Sequence, residues 1–231
     1  MFIKAATGAI VLAALSTSAT AQQFAGGELT IDAYGYDAAD ADVSVDYSVA
    51  LEYAINQNVG IAVDLAYYDF SIVNESIINL TVHSIYHLND QASVGFIIGN
   101  EFRDDASVTF YGLEGGFESN NFSGEGYFAL YDNSDNTSVI GLSGAYEINS
   151  AVSAIADFGY GSIDSDDITR ISAGAEYDFA NGPTVYAEFG NLDLDGASSA
   201  FIGLGASVQF GADRGTTFDR RGAFETLVPG F

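Results

Sequence analysis

The side chains with chemistry to offer in this chain are carboxylates, and they recur at alternate positions. Asp32, Asp46, Glu52, Asp64, Glu101, Glu114, Glu125, Glu147, Asp157, Glu176 and Glu188 share their parity with small residues such as Gly60, Gly95, Gly112, Gly159 and Gly174. Alternate residues of an extended chain lie on one face. The spacing therefore gathers eleven acids on a single surface, with Arg170 as the one arginine placed among them. Such a surface concentrates cations and repels anions. In a dry interior most of these charges would be unpaired, at a large cost. Hydration, protonation and bound cations are the three ways out, and a water-filled interior is the simplest.

His83 and His87 fall four residues apart on the same face as the acids. A strand rises about 3.3 Å per residue, so they stand roughly 13 Å apart, too far to share one metal ion. Each can pair with a neighbouring acid. No nucleophile motif accompanies them, and no enzyme activity or cofactor is expected. The run Asp132-Asn133-Ser134-Asp135-Asn136 places oxygen ligands at alternate positions. It lacks the glycine and the distal glutamate of an EF-hand loop. Asp132 and Asp135 are thus a calcium candidate outside that pattern, and a solvated rim is the simpler reading.

Composition narrows the class. The 231 residues carry a formal charge of −26, with no cysteine and no tryptophan. A disulfide framework and a thiolate metal site are excluded. Five arginines and Lys4 face 32 acidic residues, which leaves no basic patch for nucleic acid. Hydrophobic residues still make up 48%, enough for a folded chain. Residues 1–21 read as a secretory signal peptide: Lys4, an apolar run over 5–15, then Ala19-Thr20-Ala21.

The elements that position the acids read as strands. Val43, Val45, Tyr47, Val49, Leu51, Tyr53 and Ile55 alternate with Ser44, Asp46, Ser48, Ala50, Glu52 and Ala54. The same period continues to the end and predicts twelve strands over 27–36, 43–55, 59–68, 77–88, 92–103, 108–118, 122–132, 138–148, 152–163, 168–179, 184–192 and 200–210. Ten or fourteen follow if one hairpin is split or merged. Short Asn-rich links at 56–58, 89–91, 119–121, 149–151 and 180–183 alternate with longer acidic ones at 37–42, 69–76, 103–107, 132–136, 164–167 and 193–199. The face opposite the acids carries no charge, and its aromatics gather near strand ends. Tyr53, Tyr86, Tyr146, Tyr177 and Phe210 sit by the short links, Tyr67 and Tyr160 near the long ones. Two aromatic rings bounding an apolar band are the pattern of a transmembrane barrel and have no purpose in a soluble sandwich core.

On these features the chain resembles the small porin-like outer-membrane β-barrel proteins of Gram-negative bacteria. Ile202-x-Leu204-x-Ala206-x-Val208-x-Phe210 is similar to the terminal strand that the barrel-insertion machinery reads in that family. The resemblance implies an all-β, antiparallel up-and-down barrel over 22–210, a bacterial outer-membrane location and outer-membrane lipid as partner. With the charge, it leads to a passive channel for small cationic or neutral solutes. Its pore would be lined by Glu52, Asp64, Glu101, Glu114, Glu125, Glu147, Asp157, Glu176, Arg170 and His83, with Arg103 and Arg170 set across from acids. The alternative is a non-conducting structural or interaction barrel whose acidic loops are the working surface. The chain departs from the family at residues 211–231, which follow the terminal aromatic and hold Arg214, Arg220 and Arg221. That segment is either a flexible periplasmic tail or a plug whose arginines enter the barrel and pair with the acids. The leader reading predicts that mass spectrometry of the exported protein finds its N-terminus near Gln22; an intact residue 1–21 segment would contradict it.

Overall fold

The computed structural model describes residues 23–37, 43–70, 75–103, 106–133, 137–163, 166–180, 182–211 and 216–228. The expected leader, Asp135 and Arg214 lie outside them. Twelve strands form: β1 (Gln23–Tyr36), β2 (Val43–Asn56), β3 (Val59–Phe70), β4 (Glu75–Asn89), β5 (Ala92–Arg103), β6 (Ala106–Ser119), β7 (Phe122–Tyr131), β8 (Ser138–Asn149), β9 (Val152–Ile163), β10 (Asp166–Asp178), β11 (Thr184–Leu194) and β12 (Ala197–Gly211). Each pairs antiparallel with its neighbour in sequence, and β1 pairs with β12 to close the barrel. The expected architecture and strand number are both observed.

Alternation dictates which residues meet. The register carries Val63, Val82, Ile98, Tyr111 and Leu130 side by side across β3 to β7. All five point outward and are exposed. A continuous exposed apolar belt of this kind needs an apolar medium. Tyr53, Tyr86, Tyr146 and Tyr177 are exposed on the outward face at the end of the tight links, here called the turn end. Phe24 joins them, 5.5 Å from the Tyr53 ring and 6.0 Å from that of Phe210, which lies half-buried. At the opposite, loop end, Tyr67 is exposed and the Tyr160 hydroxyl donates to Asp167 at 2.9 Å.

The links differ from expectation. Strands run on into residues that read as loops, so β5–β6, β9–β10 and β11–β12 are joined by two residues each, while the β10–β11 link at the turn end spans five. Asp195 and Gly196 both take positive φ (48° and 85°), the backbone of a tight type I′ hairpin turn. The physical reason is that the ladder continues through polar rim pairs such as Asp193–Ser198 and Asp167–Ser162, where apolar alternation has already ended.

Inside, the barrel has two zones. Toward the loop end, Tyr34, Tyr36, Phe110, Tyr131, Ile168, Leu192 and Phe201 form a buried apolar core. Phe110 and Tyr131 stack at 5.1 Å, and Phe201 meets Tyr36 at 5.5 Å. Inward glycines make the space: a Cβ on Gly203 would come within 2.7 Å of Tyr34, and one on Gly190 within 2.5 Å of Phe201. The small lining residues were expected to leave a water path. Here they house wall aromatics instead. Toward the turn end the interior is polar and opens to water through a cavity of about 1050 Å³.

The outward belt generates a test. Ile98→Arg, in the middle of β5, should cost about 2–4 kcal/mol when unfolding is followed in phospholipid vesicles. A change below about 0.5 kcal/mol, as at an ordinary water-facing site, would contradict a lipid-facing belt.

Candidate functional site

The C-terminal segment supplies the site's second half. From the turn-end terminus of β12, residues 216–228 climb through the lumen and end in one helical turn, α1 (Ala223–Leu227). Each step is held by a group from the wall, in order of depth. The Thr217 N–H and hydroxyl donate to the two oxygens of Glu52 at 2.6 and 3.0 Å. Phe218 is buried against Ala62 and Ile85 and lies near the His83 ring. The Arg221 carbonyl accepts from Asn79 Nδ2 at 3.0 Å, and the Ala223 N–H donates to Glu101 at 2.9 Å. Tyr127 donates to the Gly222 carbonyl at 3.0 Å. Gly222 sits at φ 149°, and a Cβ there would lie 2.5 Å from both Asn79 and Glu101, so only glycine fits. Leu227 is fully buried in the loop-end core and fills the space over Gly161.

Two arginines carry the charge. Arg221 Nε donates to Glu114 Oε2 at 2.9 Å, and its Nη1 and Nη2 lie 3.1 and 3.0 Å from the two oxygens of Glu125. Its guanidinium stands 5.0 Å over the Tyr127 ring, a favourable cation–π placement. Arg220 donates to Asp32 Oδ2 at 2.9 Å and lies 3.0 Å from Glu225 of its own segment. Tyr186 donates to the other oxygen of Asp32. Tyr68 donates to Glu225 at 2.9 Å.

A wall network stands behind these contacts. His83 is fully buried, with Nε2 2.7 Å from Asp64 and Nδ1 2.8 Å from Glu114. Contacts at both ring nitrogens suit an imidazolium between two carboxylates. Glu114 is thus fixed on one oxygen by His83 and on the other by Arg221. Arg170 Nη2 reaches both oxygens of Glu188 at 2.9 Å and stands 5.0 Å over Phe201.

The expected pore-lining set divides accordingly. Glu52, Asp64, Glu101, Glu114, His83 and Arg170 are buried. Glu52 and Arg170 still border the open cavity, whereas for Asp64, Glu101, Glu114 and His83 the expectation of a hydrated lining is corrected, because the chain's own C-terminal segment and the wall network occupy that space. Asp157 and Glu176 line the open cavity, and Glu125 stands between the two environments. Glu147 is exposed at the turn-end rim and Arg103 at the loop end of β5. His87 meets Ser93 at 2.8 Å beside the cavity. Of the plug arginines, Arg220 and Arg221 are paired inside the barrel, which decides against a free tail for residues 216–228. Asp132 is exposed in the β7–β8 link. Among the described residues no group of three or more His, Asp or Glu is arranged to hold a metal ion.

Several working residues escaped the sequence reading: Asn79, Tyr127, Tyr131, Phe218 and Leu227. The available signal was in the exceptions. Phe110, Tyr127, Tyr131 and Phe201 interrupt the small-and-acidic parity, and the C-terminal segment carries apolar residues that a solvated tail does not need.

No protein-family description matches the chain, and no curated protein does. Solved structures do. The NanC porin superposes with a TM-score of 0.63 at 13% identity, covering 78% of this chain and 98% of that one. The KdgM porin, solved in complex with disordered oligogalacturonate, gives 0.60 at 11%, covering 80% and 99%. An outer-membrane channel from Pseudomonas putida F1 gives 0.58 at 11%, covering 84% and 98%. At these identities the likeness is one of fold: this chain has the antiparallel barrel fold of these outer-membrane porins.

Proposed function

We propose that the protein is an outer-membrane channel for small cationic or neutral solutes, and that its C-terminal segment is an internal gate. The observation that carries this reading is the seat of Arg221 between Glu114 and Glu125. The wall supplies far more carboxylates than cations, and the segment supplies the missing charge while filling the path. With the segment withdrawn, the same acids would face water and draw cations, as acidic rings do in cation channels. A polyanion such as the oligogalacturonate bound to KdgM would be repelled by this lumen. The exposed apolar belt with its aromatic ends supports placement in the outer membrane, reached by export of the leader-bearing chain and the barrel-insertion machinery. Exchange of small solutes fits a wall whose two histidines are engaged with Asp64, Glu114 and Ser93.

A second reading has its own support. Tyr34, Tyr36, Phe110, Tyr131 and Phe201 belong to the wall and would stay in the loop-end half after the segment left. A barrel held shut by them would be a structural or interaction protein, with the acidic loop end as its surface.

Planar-bilayer recording under a KCl gradient separates the two. The full chain should conduct rarely, and deletion of 212–231 should produce steady channels with a cation-selective reversal potential. A folded, inserted deletion variant that stays silent would favour the closed barrel. Steady, unselective current through the full chain would remove the gate.

The gate can also be weakened at one residue. Arg221→Met leaves Glu125 without its cation and Glu114 with His83 alone, and breaking a buried pair in this way costs about 3–5 kcal/mol. Hydrogen exchange over residues 216–228 should accelerate by two or more orders of magnitude while the strands stay protected. Unchanged exchange would mean that the arginine does not hold the segment.

A further inference from the structure

The geometry points to the two arginine seats as binding subsites for a guanidinium-bearing dication, which takes the lumen when the C-terminal segment leaves it. This names the solute class of the channel just proposed and rests on that reading.

The Arg221 seat is built by the wall. Glu114 and Glu125 on β6 and β7 present oxygens to Nε, Nη1 and Nη2 at 2.9 to 3.1 Å, and Tyr127 supplies a ring face at 5.0 Å. Nε and Nη1 donate to two different carboxylates and Nη2 lies against the second, a planar arrangement that suits a guanidinium and gives an ammonium no equivalent fit. Glu114 does not depend on the segment alone for its position, because His83, itself held by Asp64, meets its other oxygen. That acceptor is therefore preorganised, which lowers the ordering cost of binding.

The Arg220 seat lies on β1, six strands from β7 in a ring of twelve and thus across the lumen. Asp32 provides it, oriented by Tyr186. Asp46 stands directly opposite Asp32 in the β1–β2 register; it is 1% exposed, and its Oδ1 has no hydrogen-bond partner. Beside the Arg220–Asp32 pair a buried carboxylate oxygen of Asp46 is thus left over even with the segment in place. Once the segment leaves, both seats lose their arginine and present wall carboxylates, on opposite walls. The complementary solute is short and carries a guanidinium at one end and a second positive group at the other. Such a solute competes with Arg220 and Arg221 for the same oxygens, so cargo and gate exclude each other.

The test uses the full chain carrying Arg220→Ala and Arg221→Ala, refolded in detergent micelles. Calorimetric titration compares agmatine, which has a guanidinium and an ammonium, with 1,5-diaminopentane, a dication of two ammonium groups. Agmatine should bind with one-to-one stoichiometry at least tenfold more tightly, and adding Glu114→Gln should remove at least tenfold of that affinity. Equal binding of the two dications, or indifference to Glu114→Gln, would overturn the seats and leave only diffuse attraction. Should the double variant not refold, hydrogen exchange of the unaltered protein decides. Agmatine, and not diaminopentane, should accelerate exchange over residues 216–228; no acceleration overturns the proposal. Selective binding without agmatine-carried current in bilayers would retain the seats and reject the channel. Current without selective binding would do the reverse.

Discussion

Buried charge needs counter-charge, and most of this structure follows from where the counter-charge comes from. Closing a sheet of alternating residues sends one parity out and the other in. Here the inward parity is rich in carboxylates, and seven of them are buried: Asp32, Asp46, Glu52, Asp64, Glu101, Glu114 and Glu188. Each unpaired ion would cost several kcal/mol. The wall can answer with Arg170 on Glu188 and His83 between Asp64 and Glu114. Asp32, Glu52 and Glu101 are met by the C-terminal segment, through Arg220 and the backbone N–H groups of Thr217 and Ala223, and Arg221 adds a second cation at Glu114. The segment is therefore part of the interior of the barrel and stabilises the same acids that make an empty lumen costly to dry.

The two interior zones follow from how those contacts are distributed. Near the loop end, wall aromatics and Leu227 exclude water. Near the turn end the acids Asp157 and Glu176 line a cavity of about 1050 Å³ and keep their hydration. A solute entering from the turn end would meet hydrated carboxylates first and paired ones next. The depth order of the contacts, from Glu52 through Glu114 to Glu101, makes the segment a string of separate attachments. No single bond holds it, and local opening of part of it does not require the strands to unpair.

Residues such as Val63, Val82 and Ile98 made the fold legible from the sequence. Period two, an uncharged outward parity and aromatics at both ends determine a closed membrane-type barrel, and they place Glu52, Glu114 and Glu125 on the inward side. Local rules were enough for this because the side chain of a strand residue has two directions open to it and lipid tolerates no charge on one of them. Strand ends such as Asp193 and Asp166 were less legible, since a ladder continues wherever backbone partners exist, even after the apolar period stops.

Which inward residues touch water was decided by tertiary structure alone. Glu114 and Glu176 are both inward glutamates beside glycines, yet one is buried between His83 and Arg221 while the other borders the open cavity. The difference lies in residues 216–228, more than a hundred positions from Glu114, and nothing in strand periodicity encodes where a segment outside the strands will run. Arg220 and Arg221 announced a need for carboxylates. Only the closed barrel, by bringing β1, β6 and β7 around one axis, could settle which carboxylates these are.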